Sequence, residues 1–145
     1  MKMTEKKMTL RDTIIPKSDQ LNFDDVADKP LTVTVVNLAM GNSEQPVIVK
    51  IKDATTGEEM RDYKPCKSMR RVLIQVWGDQ GKDWVGQSMT LYGDPNVKFG
   101  GVSVGGLRIS HMTGIEKPVD IMLTTTRSKR APFRVESLMI KDGGA

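Results

Sequence analysis

The chain has 145 residues, of which 38% are hydrophobic and 28% are charged, and its formal net charge is +4. This length suits one domain with its own core, and this composition is typical of soluble globular proteins rather than of disordered chains. One cysteine excludes an internal disulfide, and one cysteine with one histidine excludes the common zinc sites, so we expect no metal, no cofactor and a cytoplasmic protein.

The N-terminal region predicts a short helix after a flexible arm. Residues 1–17 are polar with scattered apolar side chains, without the apolar core of a secretory signal. Asn22 followed by Asp24 and Asp25 predicts an N-cap and the first turn of a helix. No later run reaches the roughly 20 apolar residues of a membrane span, so no membrane partner is expected. We expect one domain at 18–140 and a flexible tail at 141–145.

Alternating apolar residues next predict strands. In LTVTVVNL, from residue 31, and in VIVKIKD, from residue 47, apolar side chains recur at every second position. The turn-rich AMGNSEQP between them indicates a hairpin, and MRDYKP, from residue 60, is a third short strand in this interpretation.

The segment CKSMRRVLIQVWG, residues 66–78, predicts the main helix. Its apolar residues follow the i, i+3, i+4, i+7, i+8 spacing of one helix face. They are Met69, Val72, Leu73, Val76 and Trp77. Ser68 suits the N-cap and Gly78 the C-cap. The β-branched residues leave a strand as the alternative.

Strands dominate the remainder. MTLYGD and VSVGGLRIS are predicted strands joined by PNVKFGG, and VDIMLTTTR and FRVESLMI form a hairpin around the basic SKRAP. Three strands, a helix and two strands is the element order of an OB-fold. The predicted fold is therefore mainly β with one main helix, an OB-like small β-barrel with an extra C-terminal hairpin. A β-sandwich is the alternative.

Positive charge is concentrated in the second half of the chain. Residues 1–60 sum to −2 and residues 61–145 to +6. Two windows free of acidic residues lie at 64–71 and 127–134, and such clusters suit a polyanion or a solvated surface. Trp84 and Phe99 lie beside glycines and lysines, where exposed rings would stack on unpaired bases. The predicted nucleic-acid-binding residues are Lys64, Lys67, Arg70, Arg71, Trp84, Lys98, Phe99, Arg108, Arg127, Lys129, Arg130 and Arg134.

Other motifs favour structural roles. GGVSVGG lacks the lysine and the following helix of a phosphate-binding loop, so its glycines indicate bends or bulges. Cys66 has no sequence motif that pairs it with a base, and His111 follows a predicted strand. The carboxylates are scattered, which keeps a small metal-dependent nuclease open as a weaker alternative.

A long stretch of this sequence resembles a family of small phage and prophage proteins. The resemblance rests on KPCKSMRRVLIQVWGDQGKDWVGQSMTLYGDPNVKFGGVSVGGLRISHM, with SDQLNFDDV upstream and TTTRSKRAPF downstream, and spans most of residues 15–138. It implies an accessory role in phage DNA replication or recombination, similar to that of OB-fold single-stranded DNA-binding proteins, and carries no catalytic residues.

These observations lead to two main functional hypotheses. The first is a non-enzymatic, phage-type protein that binds single-stranded nucleic acid through a basic groove and aromatic stacking. The second is a protein-interaction module, an inhibitor or adaptor of a phage or host DNA-processing protein, with an acidic surface at Asp24, Asp25 and Asp28. DNA versus RNA, and a homo-oligomer versus a monomer, stay open.

Overall fold

The computed structural model describes residues 20–43, 45–99, 102–103, 105–126 and 129–139. The predicted arm at 1–17, the tail at 141–145 and Arg127 lie outside these ranges. Within them, none of the helices combines the length and the apolar character that a membrane span requires.

Eight strands and two helices make up the described chain. Helix α1 is Phe23–Val26 and helix α2 is Lys67–Trp77, and a 3₁₀ turn lies at Gly81–Asp83. The strands are β1 (Leu31–Met40), β2 (Val47–Asp53), β3 (Ser88–Asp94), β4 (Lys98–Phe99), β5 (Val102–Ser103), β6 (Gly106–Met112), β7 (Val119–Thr126) and β8 (Lys129–Ser137). The prediction of a mainly β fold with one main helix is confirmed.

Six strands form one mixed sheet in the order β2-β1-β3-β6-β8-β7. All neighbours are antiparallel except β6 and β8, which run parallel through the pairs His111 with Glu136 and Met112 with Ser137. The short strands β4 and β5 form a separate hairpin. The sheet is not closed into a barrel: in the described ranges β2 and β7 are its outer strands, and β7–β8 is the predicted C-terminal hairpin.

The predicted third strand after β2 is reduced to isolated bridges. Tyr63 pairs with Val49, and Glu59 pairs with Lys52, both in the antiparallel sense. A ladder this sparse does not make a full strand, because Pro65 follows closely and cannot donate a backbone hydrogen bond.

One hydrophobic core joins all the main elements. Alternation along β1 buries Val33 and Val35, and alternation along β3 buries Met89 and Leu91. Helix α2 adds Met69, Val72, Leu73 and Trp77 from its apolar face. The C-terminal hairpin contributes Ile121, Leu123 and Val135 to the same cluster, so it is packed into the domain rather than appended to it.

Two of the three helix caps predicted from the sequence are confirmed. Asn22 caps α1, with its side chain accepting from the Asp24 amide while Asp25 bonds back to the Asn22 amide, as predicted. Gly78 ends α2 with φ +90°, also as predicted. The predicted N-cap Ser68 is wrong: α2 begins at Lys67 and Cys66 occupies the cap position without a side-chain bond. The Cys66 backbone oxygen already accepts a helical bond from the Arg70 N–H at 2.8 Å, two residues earlier than a cap at Ser68 would allow.

The glycine-rich stretch after β5 packs against an aromatic ring. Gly105 has φ +81°, and a Cβ atom there would lie 2.7 Å from the Phe23 ring. Gly93 on β3 lies near the same ring, and a Cβ atom there would be 2.9 Å from a ring carbon. These positions therefore need glycine for close approach and, at Gly105, for backbone conformation. This agrees with the bend predicted for this motif.

Candidate nucleic-acid interface

The first basic cluster lies around the start of α2 and divides into two kinds of residue. Lys67 and Arg71 are exposed on the helix. Arg70 is half-buried, and its Nη1 donates to the backbone oxygen of Pro65 at 2.9 Å. Lys64, half-buried, precedes the helix. Arg70 therefore stabilises the loop that enters the helix, while the charges of Lys67 and Arg71 are exposed to solvent.

The second basic cluster lies on the C-terminal hairpin and is partly neutralised. Lys129 and Arg130 are exposed at the start of β8. Arg134 Nε lies 3.5 Å from Asp120 Oδ1 and 3.9 Å from Glu136 Oε2. Asp120 faces Arg134 directly across the hairpin, so the pairing register supplies an acid that the linear cluster lacks. Arg134 contributes less to a basic surface than the sequence predicted.

Strand phase separates the hairpin arginines from the side that faces α2. Ala131, Phe133 and Val135 alternate with exposed residues along β8 and point toward the core. Arg130 and Arg134 occupy the intervening positions and so lie on the opposite face of the strand. The two basic clusters are on neighbouring elements, but neither arginine is among the residues that line the cleft between α2 and the hairpin.

A cleft of about 260 Å³ lies where the start of α2 meets the sheet and the hairpin. Helix α2 contributes Ser68, and the ends of β3 and β6 contribute Asp94 and Arg108. Strands β7 and β8 form the remaining wall with Leu123, Thr124, Ala131, Pro132 and Phe133. The cleft therefore combines apolar walls, one aromatic ring and a cation, and Lys67 is the chain neighbour of Ser68.

Arg108 is the central charge of this cleft. Its Nε lies 3.7 Å from Asp94 Oδ2, and its side chain is 23% exposed. Tyr92 is opposite Arg108 in the ladder between β3 and β6. Burial raises the pKa of the Tyr92 hydroxyl, Asp94 raises it further, and Arg108 lowers it, which places all three groups close together. The predicted binding residue Arg108 thus lies in a polar group that includes an acid and a phenol.

A second cleft, of about 190 Å³, lies on the other side of Arg108. Its lining includes Tyr63, Lys64, Cys66 and the backbone of Gly105. The Tyr63 hydroxyl is buried, and no hydrogen-bond partner for it is found among the described residues. Burial raises the pKa of this hydroxyl far above its ordinary value, with Cys66 raising it further and Arg108 lowering it. Tyr63 is therefore a neutral, buried group rather than an acid or base.

The predicted exposure of Trp84 is wrong. Its side chain is 5% exposed, and its Nε1 donates to the backbone oxygen of Gly78 at 2.8 Å. The ring meets Trp77 edge to face, with centroids 6.2 Å apart. Trp77 Nε1 in turn donates to the backbone oxygen of Thr113. Both indoles close the end of α2 against the core, so Trp84 is not available for stacking on a base.

Three further predicted residues cannot be placed as side chains. Lys98 and Phe99 form the two-residue strand β4, and their side chains lie outside the described part of the structure, as does the whole of Arg127. Their predicted roles stay predictions.

The cleft contains residues that the prediction did not select. Asp94, Phe133 and Ser68 line it, and Tyr92 lies beside its central arginine. Phe133 stands next to Arg134 in the sequence, which is an aromatic–basic pair and a usable signal. No feature of the sequence pointed to Asp94. Its proximity to Arg108 depends on the register between β3 and β6, and that register shifts at an irregularity between Thr90 and Leu91.

Among the ranges that the structure describes, no group of three or more histidine, cysteine, aspartate or glutamate side chains is arranged to hold a metal ion. His111 lies within β6, not after the strand as predicted, and its Nδ1 is hydrogen-bonded to Ser110 Oγ at 2.7 Å. Comparisons with protein-family models, with curated proteins and with solved structures find no match to this chain.

Proposed function

We propose that this protein binds single-stranded DNA, without enzymatic activity, as a phage-type accessory factor for replication or recombination in the host cytoplasm. The observation that carries the proposal is the cleft between α2 and the C-terminal hairpin, which places Arg108 and the Phe133 ring together. The sequence resemblance to phage proteins supports the biological setting.

The chemistry of the cleft suits an unpaired strand rather than a duplex. Single strands are held by cations that follow the phosphates and by aromatic rings on which bases stack. Here Lys67 and Arg71 are exposed at the helix start, and Arg108 lies inside the cleft. A strand that runs along the start of α2 would meet the first two cations with its phosphates and turn a base toward Phe133.

A fluorescence-anisotropy titration with a labelled oligonucleotide of eleven thymidines tests this proposal. Neutralising phosphates with two cations, Lys67 and Arg71, predicts a slope of log K against log salt of about −1.4 for a single strand. Affinity should then fall about sevenfold between 50 and 200 mM salt. No binding at 50 mM salt, or binding that ignores salt, would refute the proposal.

Two arginines provide a matched pair of variants. Arg71→Gln should lower affinity and reduce the salt slope by about 0.7, because it removes one phosphate contact. Arg134→Gln changes the net charge equally, but Arg134 is already paired with Asp120 and Glu136 and lies on the outer hairpin face. It should change the slope by less than half as much. Equal effects of both variants would show that net charge, and not this cleft, determines binding.

The alternative function, a protein-interaction module, has one structural observation in its favour. An apolar groove of about 290 Å³ lies between the β1–β2 hairpin and the end of α2. Met40 and Ile74 in its lining are 84% and 46% exposed. The acidic surface first considered is weaker support, because Asp25 caps α1 and lies 3.9 Å from Arg61. This alternative requires a 1:1 protein complex that Ile74→Glu abolishes and that an oligonucleotide does not displace.

A further inference from the structure

The cleft at Arg108 has the features of a pocket for a single ring. Its volume of about 260 Å³ is just below the usual range of ligand sites, and Ser68 at the start of α2 contributes to its lining. Apolar side chains from the hairpin form one side, with Phe133 contributing an aromatic face. The polar groups Asp94 and Arg108 come from the place where β3 ends and β6 begins. This separation of an apolar wall from a polar end is the arrangement that holds a nucleobase by stacking and by its edge.

Asp94 and Arg108 keep hydrogen-bonding capacity toward the cleft. Their closest charged atoms, Nε and Oδ2, are 3.7 Å apart, which is beyond a good hydrogen bond. Asp94 Oδ1 accepts the backbone N–H of Asn96 at 2.9 Å, which fixes the carboxylate and leaves Oδ2 on the side of Arg108. The pair therefore presents one acceptor oxygen beside a guanidinium that carries several donors.

The backbone holds both groups in place. Asp94 ends β3 opposite Gly106, and Arg108 lies two residues further along β6, opposite Tyr92. Groups on paired strands are positioned more exactly than groups on loops. The Phe133 ring is supported in the same way, because β8 is paired with β7 across from Ile121 and adjoins β6.

We infer that this cleft binds one unstacked cytosine of the single strand, with the base on the Phe133 ring and its Watson–Crick edge on Asp94 and Arg108. The inference rests on the proposed function and adds a base preference to it. The cytosine N4 amino group donates to Asp94 Oδ2, and cytosine N3 and O2 accept from the Arg108 guanidinium.

Cytosine fits better than the other bases because of the order of donors and acceptors on its edge. It offers a donor followed by two adjacent acceptors, which matches one carboxylate oxygen followed by a two-pronged guanidinium. Thymine has its donor between two acceptors, so the guanidinium reaches only one of them. Adenine offers one acceptor beside its amino group. Guanine presents two adjacent donors and one acceptor, which is the reverse of one carboxylate oxygen followed by a two-pronged donor.

Competition among four oligonucleotides at neutral pH tests the inference. Three of them have ten thymidines and a central thymidine, cytidine or adenosine, and the fourth is abasic at all eleven positions. The wild-type protein should bind the central-cytidine strand at least about fivefold more tightly than the all-thymidine strand, as expected for one well-placed set of base contacts. The abasic strand should bind most weakly.

Two aspartate variants isolate the edge contact. Asp94→Asn keeps the side-chain shape and an acceptor for the Asn96 amide, and it should reduce the cytidine preference to less than twofold without weakening binding to thymidines. Asp83→Asn, at an exposed position in the 3₁₀ turn, changes the net charge equally and should leave the preference unchanged. Loss of the preference in both variants would contradict a direct contact at Asp94.

Phe133→Leu tests the stacking contact independently. It retains an apolar side chain in the wall and removes the ring. Affinity for all base-bearing strands should fall at least about fivefold, and the abasic strand should be unaffected. Equal wild-type affinity for all four strands, with a normal salt slope, would refute the base pocket and leave the proposed function intact. Failure to bind any strand at low salt would refute both.

Discussion

Tyr63 carries a buried hydroxyl without a hydrogen-bond partner among the described residues. Such a group costs about 1–3 kcal/mol relative to a satisfied one. Tyr63→Phe should therefore leave the free energy of unfolding unchanged or raise it by about 1 kcal/mol, measured by urea denaturation. Tyr92→Phe, at a half-buried hydroxyl, is the control and should have little effect. A loss of more than about 1 kcal/mol in Tyr63→Phe would show that the hydroxyl is bonded in solution.

Alanine substitutions at two glycines distinguish the cost of backbone strain from the cost of a steric clash. Gly57 and Gly105 have nearly equal φ values, +79° and +81°. A Cβ atom at Gly57 meets nothing within 4 Å, whereas at Gly105 it lies 2.7 Å from the Phe23 ring. Gly57→Ala should cost about 1 kcal/mol from backbone conformation alone. Gly105→Ala should cost a further 1–3 kcal/mol or so from overpacking, read from the same urea midpoints. Equal costs would mean that Phe23 moves freely.

At the scale of elements, helix α2 and its following turn form one packing unit. Local sequence predicted the helix well, because its apolar stripe and its terminal glycine are both short-range signals. The burial of Trp84 was not predictable in this way. It depends on the 3₁₀ turn at Gly81–Asp83, which folds the chain back so that one indole meets the other.

The burial of Trp84 in this packing unit predicts that its substitution affects stability more than oligonucleotide affinity. Trp84→Phe removes the donor to Gly78 and part of the edge contact with Trp77, and it should lower the free energy of unfolding by about 1–3 kcal/mol. Oligonucleotide affinity should change less than twofold, since the ring is not at the surface. A loss of affinity above fivefold, with an unchanged circular dichroism spectrum, would show that Trp84 contacts the oligonucleotide.

In the C-terminal hairpin, the pairing of two strands places an acidic residue opposite a basic one. A strand at FRVESLMI was predicted from the sequence, but the acid that faces Arg134 was not. Asp120 meets Arg134 only because the β7–β8 register aligns them. The segment 127–134 therefore contains only basic charges in the sequence, whereas in the structure its Arg134 is paired with Asp120.

For the whole molecule, the shared core predicts a single unfolding transition. Leu123 on the hairpin, Leu91 on β3 and Val72 on α2 belong to one buried cluster. Urea unfolding followed by tryptophan fluorescence, which reports Trp77 and Trp84, should coincide with unfolding followed by far-ultraviolet circular dichroism. Leu123→Ala should shift both midpoints together, at a cost of about 2–5 kcal/mol. A variant that melts the hairpin before the tryptophan signal changes would indicate a separate folding unit.

The sequence by itself determined the mainly β class, the main helix with its apolar face, the Asn22 and Gly78 caps and the basic character of the second half. Each depends on residues close together in the chain, through side-chain alternation, helical periodicity or local hydrogen bonds. The tertiary structure decided the open six-stranded sheet, the burial of Trp84 and the pairing of Arg134 with Asp120. It also decided the meeting of Asp94, Arg108 and Phe133 in one cleft. Those features depend on the register and order of strands distant in sequence, which no local pattern specifies.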